Sequence, residues 1–180
     1  MAAITLAEAK THLKISVTTY YTQLADFILV AEDCASDVLN GPVSTQSYTD
    51  TYDGGNQFGI VLRNRPVISV QSVTMFGVAV DPTNWHLDDA GVLWYVIGYY
   101  AKGGFYTGVG NVQVSYTAGY SPVPAKLKYG VKEMVRVLWE TQRGNSPSQG
   151  PDDDYVDVQG FLFPRRVLQP LEHSRKPDFV

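Results

Sequence analysis

The sequence contains one cysteine, Cys34, so it cannot form an internal disulfide and is not a secreted disulfide scaffold. It also lacks an apolar run long enough to span a bilayer, since the longest, residues 92–101, is short and interrupted by Gly98. The first residues have neither the basic region nor the apolar stretch of a signal peptide. We therefore expect a protein made and kept in a cytosol, with Cys34 in its core.

Spacings typical of catalytic and metal sites are missing as well. The three histidines, His12, His86 and His173, lie in separate segments, and none is near Cys34 in the sequence. The sequence therefore shows neither a zinc-ligand spacing nor a Cys-His nucleophile pair. We expect a protein that is not an enzyme and that needs no metal and no cofactor.

Three further stretches resemble ligand sites, but their sequences favour simpler interpretations. Residues 103–110, GGFYTGVG, lack the Gly-Lys-Ser/Thr ending of a phosphate-binding loop, which favours a hairpin loop. The acidic run at residues 152–157 lacks the residue order of a calcium loop, which favours a solvated charge run. Asp88 and Asp89 precede Ala90 and Gly91, a pattern more typical of a tight turn than of a carboxylate pair.

What the sequence does contain is a clear strand followed by a clear helix, between Asn111 and Arg143. Apolar and polar residues alternate from Val112 to Thr117, as in a half-buried strand. Pro124 is suited to the first turn of a helix. The residues behind it follow the spacing of one helical face: Leu127, Val131, Met134, Val135 and Leu138.

Two N-terminal helices are predicted to pack against this late helix. Thr5 and Glu8 have the spacing of a capping box, and a short apolar face follows them. A longer helix is predicted from about Thr19 until Asn40 and Gly41, where the glycine would cap its end. Its apolar residues recur at helical spacing: Leu24, Phe27, Ile28, Ala31, Ala35 and Val38.

The region between these helices is rich in short strands. Runs of Val, Ile and aromatic residues alternate with Gly, Pro, Asn and Asp, which predicts antiparallel hairpins. The predicted strands are 58–62, 67–73, 78–80, 91–95 and 112–116. We therefore predict an α+β fold in which a small helical core, residues 1–41 and 122–143, is interrupted by an antiparallel β insertion, residues 46–117.

The chain changes character after this connector domain, residues 1–143. Residues 144–160 are rich in Gly, Ser, Pro and Asp, and they predict a linker. Residues 161–180 form an extended C-terminal segment in which a short helix is possible. Its apolar residues need a cover. We favour another subunit over the chain's own core, with eight docking residues: Phe161, Leu162, Phe163, Arg165, Arg166, Val167, Leu168 and Leu171.

Three cations share one face of the late helix: Lys128, Lys132 and Arg136. They could face DNA, or they could form a solvated face whose charge Glu133 and Glu140 offset, with Arg136 and Glu140 as an i, i+4 pair. The sequence does not decide between these two interpretations. The formal net charge of −4 argues against a general DNA-binding protein.

The order of these features resembles the head-tail connector (adaptor) proteins of tailed double-stranded DNA bacteriophages. The resemblance covers most of the chain and is carried by structural motifs: ITLAEAKTHLKI, LRNRPVISVQSV, WHLDDAGVLW, VSYTAGYSPVPAKLKYGVKEM and FLFPRRVLQPL. The glycine-rich loop and the long acidic linker depart from the shorter members of that family. The twelve tyrosines leave a carbohydrate-binding β module as a rival, although three bracketing helices argue against it.

The resemblance implies a structural virion protein at the neck, between head and tail, present in the host cytoplasm during assembly. Such proteins form a homo-oligomeric ring, usually of twelve copies, under the portal protein. The ring extends the channel through which double-stranded DNA passes without sequence-specific contacts, and it meets a downstream neck or tail protein. The resemblance implies no membrane partner. Another neck role, as a head closure or tail completion protein, is the alternative.

Overall fold

The computed structural model describes residues 2–16, 18–97, 101–142, 155–158 and 160–175. The chain divides into two compact units. The first, here called the helical unit, combines Met1–Ser44 with Ser121–Val180, and the second, the β unit, is Thr45–Tyr120. The predicted α+β fold, a helical core interrupted by an antiparallel β insertion, is confirmed.

The described residues of the helical unit include four α-helices: α1 (Leu6–Leu13), α2 (Tyr21–Leu39), α3 (Ala125–Gln142) and α4 (Arg165–Glu172). The capping box predicted for α1 is present, because Thr5 and Glu8 bond to each other's backbone N–H groups. At the end of α2 the left-handed residue is Asn40, with φ +54°, and not Gly41 as expected. Asparagine tolerates this conformation better than most other residues, so it can cap the helix itself.

The core of this unit lies between α2 and α3, and α1 and α4 also pack on them. The apolar face predicted for α3 is buried, and Cys34 on α2 is buried as expected. Burial raises the pKa of the Cys34 thiol to about 11. The ring of Trp139 meets Tyr20 and Phe27 edge to face, with centroids 5.3 and 6.4 Å away.

The C-terminal segment corrects one expectation. Strands β9 (Tyr155–Val158) and β10 (Phe161–Pro164) form an antiparallel hairpin, and α4 follows it and packs on α2 and α3. Four of the eight expected docking residues are buried here and complete the chain's own core: Phe163, Val167, Leu168 and Leu171. Leu171 can pack closely on α3 because Gly130 has no side chain. A Cβ atom at that position would lie only 3.1 Å from Leu171 Cγ.

The β unit contains two antiparallel sheets. The first has the order β1-β8-β3-β4, from β1 (Gln46–Gly54), β3 (Val67–Met75), β4 (Val78–Ala79) and β8 (Gly108–Ala118). The second has the order β2-β6-β5, from β2 (Gly59–Val61), β5 (Trp85–Leu87) and β6 (Val92–Ile97), and β7 (Ala101–Lys102) also pairs with β6. The inward residues of both sheets form one core together with Leu62 and Phe105, which lie beside the strands. The fully buried residues of this core include Leu62, Leu93, Phe105, Val114 and Tyr116.

Candidate docking surface and basic helix face

The basic face predicted on α3 is paired with acidic residues. Lys128 Nζ and Lys132 Nζ lie 3.4 and 3.6 Å from Glu8 Oε1 on α1. The bond that Glu8 accepts from the Thr5 backbone N–H is the main cause that lowers its carboxyl pKa, and the two lysines lower it further. The first two cations of the face therefore form ion pairs between α3 and α1.

The third cation, Arg136, is paired within α3 itself. Its Nε donates to Glu140 at 2.8 Å, which confirms the predicted i, i+4 pair, and its Nη1 lies 3.5 Å from Glu133. The bond to Glu140 raises the pKa of Arg136. Glu133 also contacts His12 of α1, with Nε2 and Oε1 2.9 Å apart. Three cations thus face three carboxylates, an arrangement that the solvated-face interpretation describes well.

The docking residues expected in the C-terminal segment separate into two groups. Phe161, Leu162, Arg165 and Arg166 are exposed, whereas the other four support them from the core. The rings of Phe161 and Phe163 are 6.4 Å apart, so the exposed ring rests on a buried one. Two exposed apolar side chains and two exposed arginines are therefore held on a fixed hairpin and helix.

A groove between α3 and α4 brings the two predicted sites together. It has a volume of about 290 Å³, and Arg136 of the basic face and Arg166 of the C-terminal segment both line it. Tyr129, Glu133 and Glu140 complete its polar wall. The sequence indicates two separate sites, whereas the structure places one residue of the basic face, Arg136, in the same groove as Arg166 and Val167 of the C-terminal segment.

The β unit contains a partly buried polar cluster that the sequence does not indicate. The Tyr116 hydroxyl donates to Asp50 Oδ2 at 2.5 Å and accepts from the backbone N–H of Asn64 at 3.1 Å and from its side-chain amide at 3.0 Å. The Tyr52 hydroxyl donates to the same carboxylate at 3.3 Å and accepts from the Arg63 N–H at 3.1 Å. Burial raises the pKa of Tyr116, and its bond to Asp50 adds to the shift. The cluster ties residues 63 and 64 to the first sheet.

The other candidate sites have structural roles where the structure describes them. Asp88 accepts from the Ala90 and Val92 N–H groups at 3.0 and 2.8 Å, which confirms the predicted turn. The acidic residues 152–154 lie outside the described residues. Within the described part, no three His, Cys, Asp or Glu side chains group as a metal site. None of the described helices has the length and apolar character that crossing a bilayer requires.

Comparison with known proteins gives the family to which the chain belongs. A family model described as head completion protein matches residues 2–176. The chain belongs to the head completion protein family, which confirms its resemblance to phage head-to-tail neck proteins. No curated protein matches the chain in sequence.

Solved structures with the same fold come from gene transfer agent (GTA) particles. A chain from the neck of an empty GTA particle, computed with C6 symmetry, aligns with TM-score 0.72 and 16% identity, over 99% of this chain and 92% of that one. A chain from the virion of a native GTA particle aligns with TM-score 0.70, at the same identity and coverage. A chain from the neck of a native particle, computed with C12 symmetry, has TM-score 0.61, 17% identity and coverages of 99% and 91%.

Proposed function

We propose that this chain is a structural virion protein of the neck, which forms a homo-oligomeric ring between the capsid portal and the tail and joins head to tail. The observation that carries the proposal is the family match, which extends over residues 2–176 and so includes both units and the C-terminal segment. Two solved chains of the same fold come from GTA particle necks computed with C6 and C12 symmetry, which supports a ring.

Twelve copies are the proposed stoichiometry, in line with the C12 neck. A closed ring needs two different surfaces on each copy, because a self-complementary patch produces a two-fold pair instead. The helical unit offers one such surface. Phe161 and Leu162, with Arg165 and Arg166 beside them, are proposed to dock on the portal or on the next copy.

The ring is proposed to extend the DNA channel. Lys128, Lys132 and Arg136 would face the lumen, where DNA passes without sequence-specific contacts. Because their charges are already paired with Glu8, Glu133 and Glu140, such a face would hold DNA weakly. Weak contact suits a channel through which DNA slides.

The proposed protein is not an enzyme and needs no cofactor, a role in keeping with a family named for head completion. Its remaining partner would be a downstream neck or tail protein, and no membrane is involved. Head closure stays a second candidate role, because the family description fits a protein that seals the filled head as well as one that adapts the portal.

Electron microscopy of the purified chain mixed with its portal tests the proposal. The expected image is a ring stacked under the portal, with the same symmetry in purified necks. Replacing Phe161 and Leu162 by serine should abolish stacking without unfolding the chain, and replacing the exposed Leu29 of α2 by serine is the control. A wild-type chain that never stacks on the portal contradicts the connector role.

A further inference from the structure

One end of the β unit carries four exposed apolar side chains. Phe76, Val78, Tyr106 and Val109 expose 61%, 70%, 59% and 93% of their surface. In the first sheet Gln46 pairs with Ala118 at one end, and Gly54 pairs with Gly108 at the other. The four side chains lie at the second end, opposite the positions where the chain enters and leaves the β unit. We call this surface the apolar end.

Two of these side chains share one surface, because Phe76 and Val109 line the same open groove, which has a volume of about 440 Å³. Val78 and Tyr106 lie on the segments next to it in the chain. Asn111 fixes the backbone of these segments, because its carbonyl accepts from Phe76 N–H and its side-chain amide donates to the Tyr106 carbonyl, both at 2.8 Å. The groove has no charged lining residue, and its polar wall consists of Thr51, Thr74, Asn111 and Gln113.

The backbone at Phe76 has a conformation that is unfavourable for a residue with a bulky side chain. Phe76 has φ +53° and Gly77 has φ +77°, in the tight turn between β3 and β4. Turns with two positive φ values favour Asn, Asp or Gly, and a bulky side chain is an outlier there. The ring is largely exposed, so its packing within the chain does not offset this cost. Strained positions of this kind concentrate where a residue serves a function.

The segment that carries Tyr106 and Val109 is fixed rather than loose. Phe105 is fully buried, and its backbone exchanges hydrogen bonds with Asn56 and Gln57 at 2.9 Å. Gly54 leaves no room for a Cβ atom, which would lie 1.9 Å from the Tyr106 carbonyl oxygen. The glycine-rich stretch therefore packs tightly against β1. A surface that is already ordered loses little conformational entropy when it binds.

We propose that the apolar end inserts into a charge-poor apolar recess on a different protein of the neck. The inference rests on the proposed neck function. The groove carries no cation to meet phosphates, so DNA does not fit it. Two apolar ends that covered each other would form a two-fold pair, which a cyclic ring does not contain.

A second copy is also a poor occupant of this surface. The other exposed large apolar side chains of the described residues lie singly or in pairs on separate elements: Leu29, Phe58, Val61, Ile68, Tyr129, Phe161 and Leu162. Four side chains are few beside the roughly 20 to 30 residues that one partner contributes to a standard interface. It therefore adds to an assembly that other contacts already hold, as the next protein in a neck would be held.

The test is reconstitution of tailed particles from heads that lack this chain, purified tails and purified chain. The variant Phe76→Asn with Val109→Thr removes the apolar end, and Ile68→Thr removes an exposed side chain elsewhere on the same unit. The double variant should keep ring formation on the portal, melt about 1 to 3 °C higher because the strained turn is relieved, and yield at least tenfold fewer tailed particles. Ile68→Thr should match the wild type.

The outcomes separate this inference from the proposed function. If wild-type chain restores tail joining and the double variant restores it within twofold, the apolar end has no partner there. Loss of ring formation in the double variant would make a second copy the occupant and overturn the inference. A photo-cross-linker in place of Tyr106, in otherwise unaltered chain, should join a different virion protein, and a cross-link only to itself or to DNA also contradicts the proposal. Wild-type chain that restores nothing defeats the neck function itself.

Discussion

The two units each have a small core, but they stabilise it by different means. The helical unit contains 24 of the charged residues of the chain, and the β unit contains eight. In the helical unit, ion pairs such as Lys132 with Glu8 join neighbouring helices. In the β unit, the outward side chains of the first sheet are largely uncharged, and Thr49 and Ser115 share a hydrogen bond of 3.1 Å across β1 and β8.

The difference indicates that the two units respond to different conditions. Exposed ion pairs are screened by salt and contribute little each. The Asp50, Tyr52, Asn64 and Tyr116 cluster is less accessible to solvent, so it depends on whether every partner is present. Salt should therefore act mainly on the helical unit, whereas loss of one hydroxyl should act mainly on the β unit.

The largest expected effect is unfolding of the helical unit alone, after removal of the C-terminal segment. Truncation after Gly144 removes Phe163, Val167, Leu168 and Leu171 from the core. Each buried side chain contributes about 1.5 to 3 kcal/mol, so their sum is comparable with the whole stability of a domain. Hydrogen exchange should show lost protection in α2 and α3 while β1, β3 and β8 keep theirs.

A matched pair of substitutions refines this result. Leu171→Ala should lower the free energy of unfolding by about 2 to 5 kcal/mol, because it leaves a cavity between α3 and α4. Leu162→Ala, at an exposed position of β10, should change it by less than about 0.5 kcal/mol. Equal effects in chemical unfolding would mean that α4 does not belong to this core.

The second prediction concerns a substitution that should destabilise the β unit. Tyr116→Phe removes the acceptor of both Asn64 bonds and leaves Asp50 with fewer donors, which should cost about 1 to 3 kcal/mol. Chemical unfolding with hydrogen exchange of each unit measures it. Tyr95→Phe, on the same unit but outside the cluster, is the control. If Tyr116→Phe lowered the stability of the helical unit alone, the assignment of this cluster to the stability of the β unit would be wrong.

The elements that sequence predicts best are those whose apolar period is unbroken. The faces of α2 and α3 and the strand β8 follow from spacing, because most of their buried residues recur at the expected period. Strand β3 follows from its Val and Ile content instead, since its register shifts twice and its burial does not alternate along the whole strand. Strand β1 was missed, since its inward positions alternate Tyr48, Asp50 and Tyr52, and a carboxylate there hides the pattern. The partners that satisfy Asp50 come from distant parts of the chain, so no local signal indicates them.

The C-terminal segment shows the same limit. The sequence shows that residues 161–171 are rich in apolar side chains, but it does not show where they pack. The packing site of Leu171 depends on Gly130, a small residue within α3. A glycine inside an amphipathic helix was the available signal for close packing. The pairing of Lys128 and Lys132 with Glu8 joins the two ends of the chain, and only the tertiary fold brings those residues together.

The third prediction uses pH to separate the units. Burial raises the pKa of Tyr48, Tyr52, Tyr116 and Tyr120, all in the β unit. Raised values mean that the neutral hydroxyls contribute stability fully below the unfolded pKa, about 10, and that this contribution is lost as the pH rises above it. The β unit should lose about 1 kcal/mol between pH 9 and 10.5. Tyr116→Phe should flatten this decline, and an unchanged slope would contradict the assignment.

The smallest expected effect concerns the basic face of α3. Glu8→Gln removes the charge that pairs with Lys128 and Lys132, but glutamine can still complete the capping box with Thr5, so the helix end is preserved. The stability of the helical unit should fall by about 0.2 to 1 kcal/mol at low salt, and the difference should vanish at high salt. The same change should also strengthen non-specific binding of double-stranded DNA at low salt, because two lysines are released toward phosphates. Glu172→Gln, on α4, is the control for the change in net charge. If Glu8→Gln alters stability but not DNA binding beyond that control, the face is solvated and lies away from the channel; if it increases binding, the ion pairs limit how strongly the face holds passing DNA.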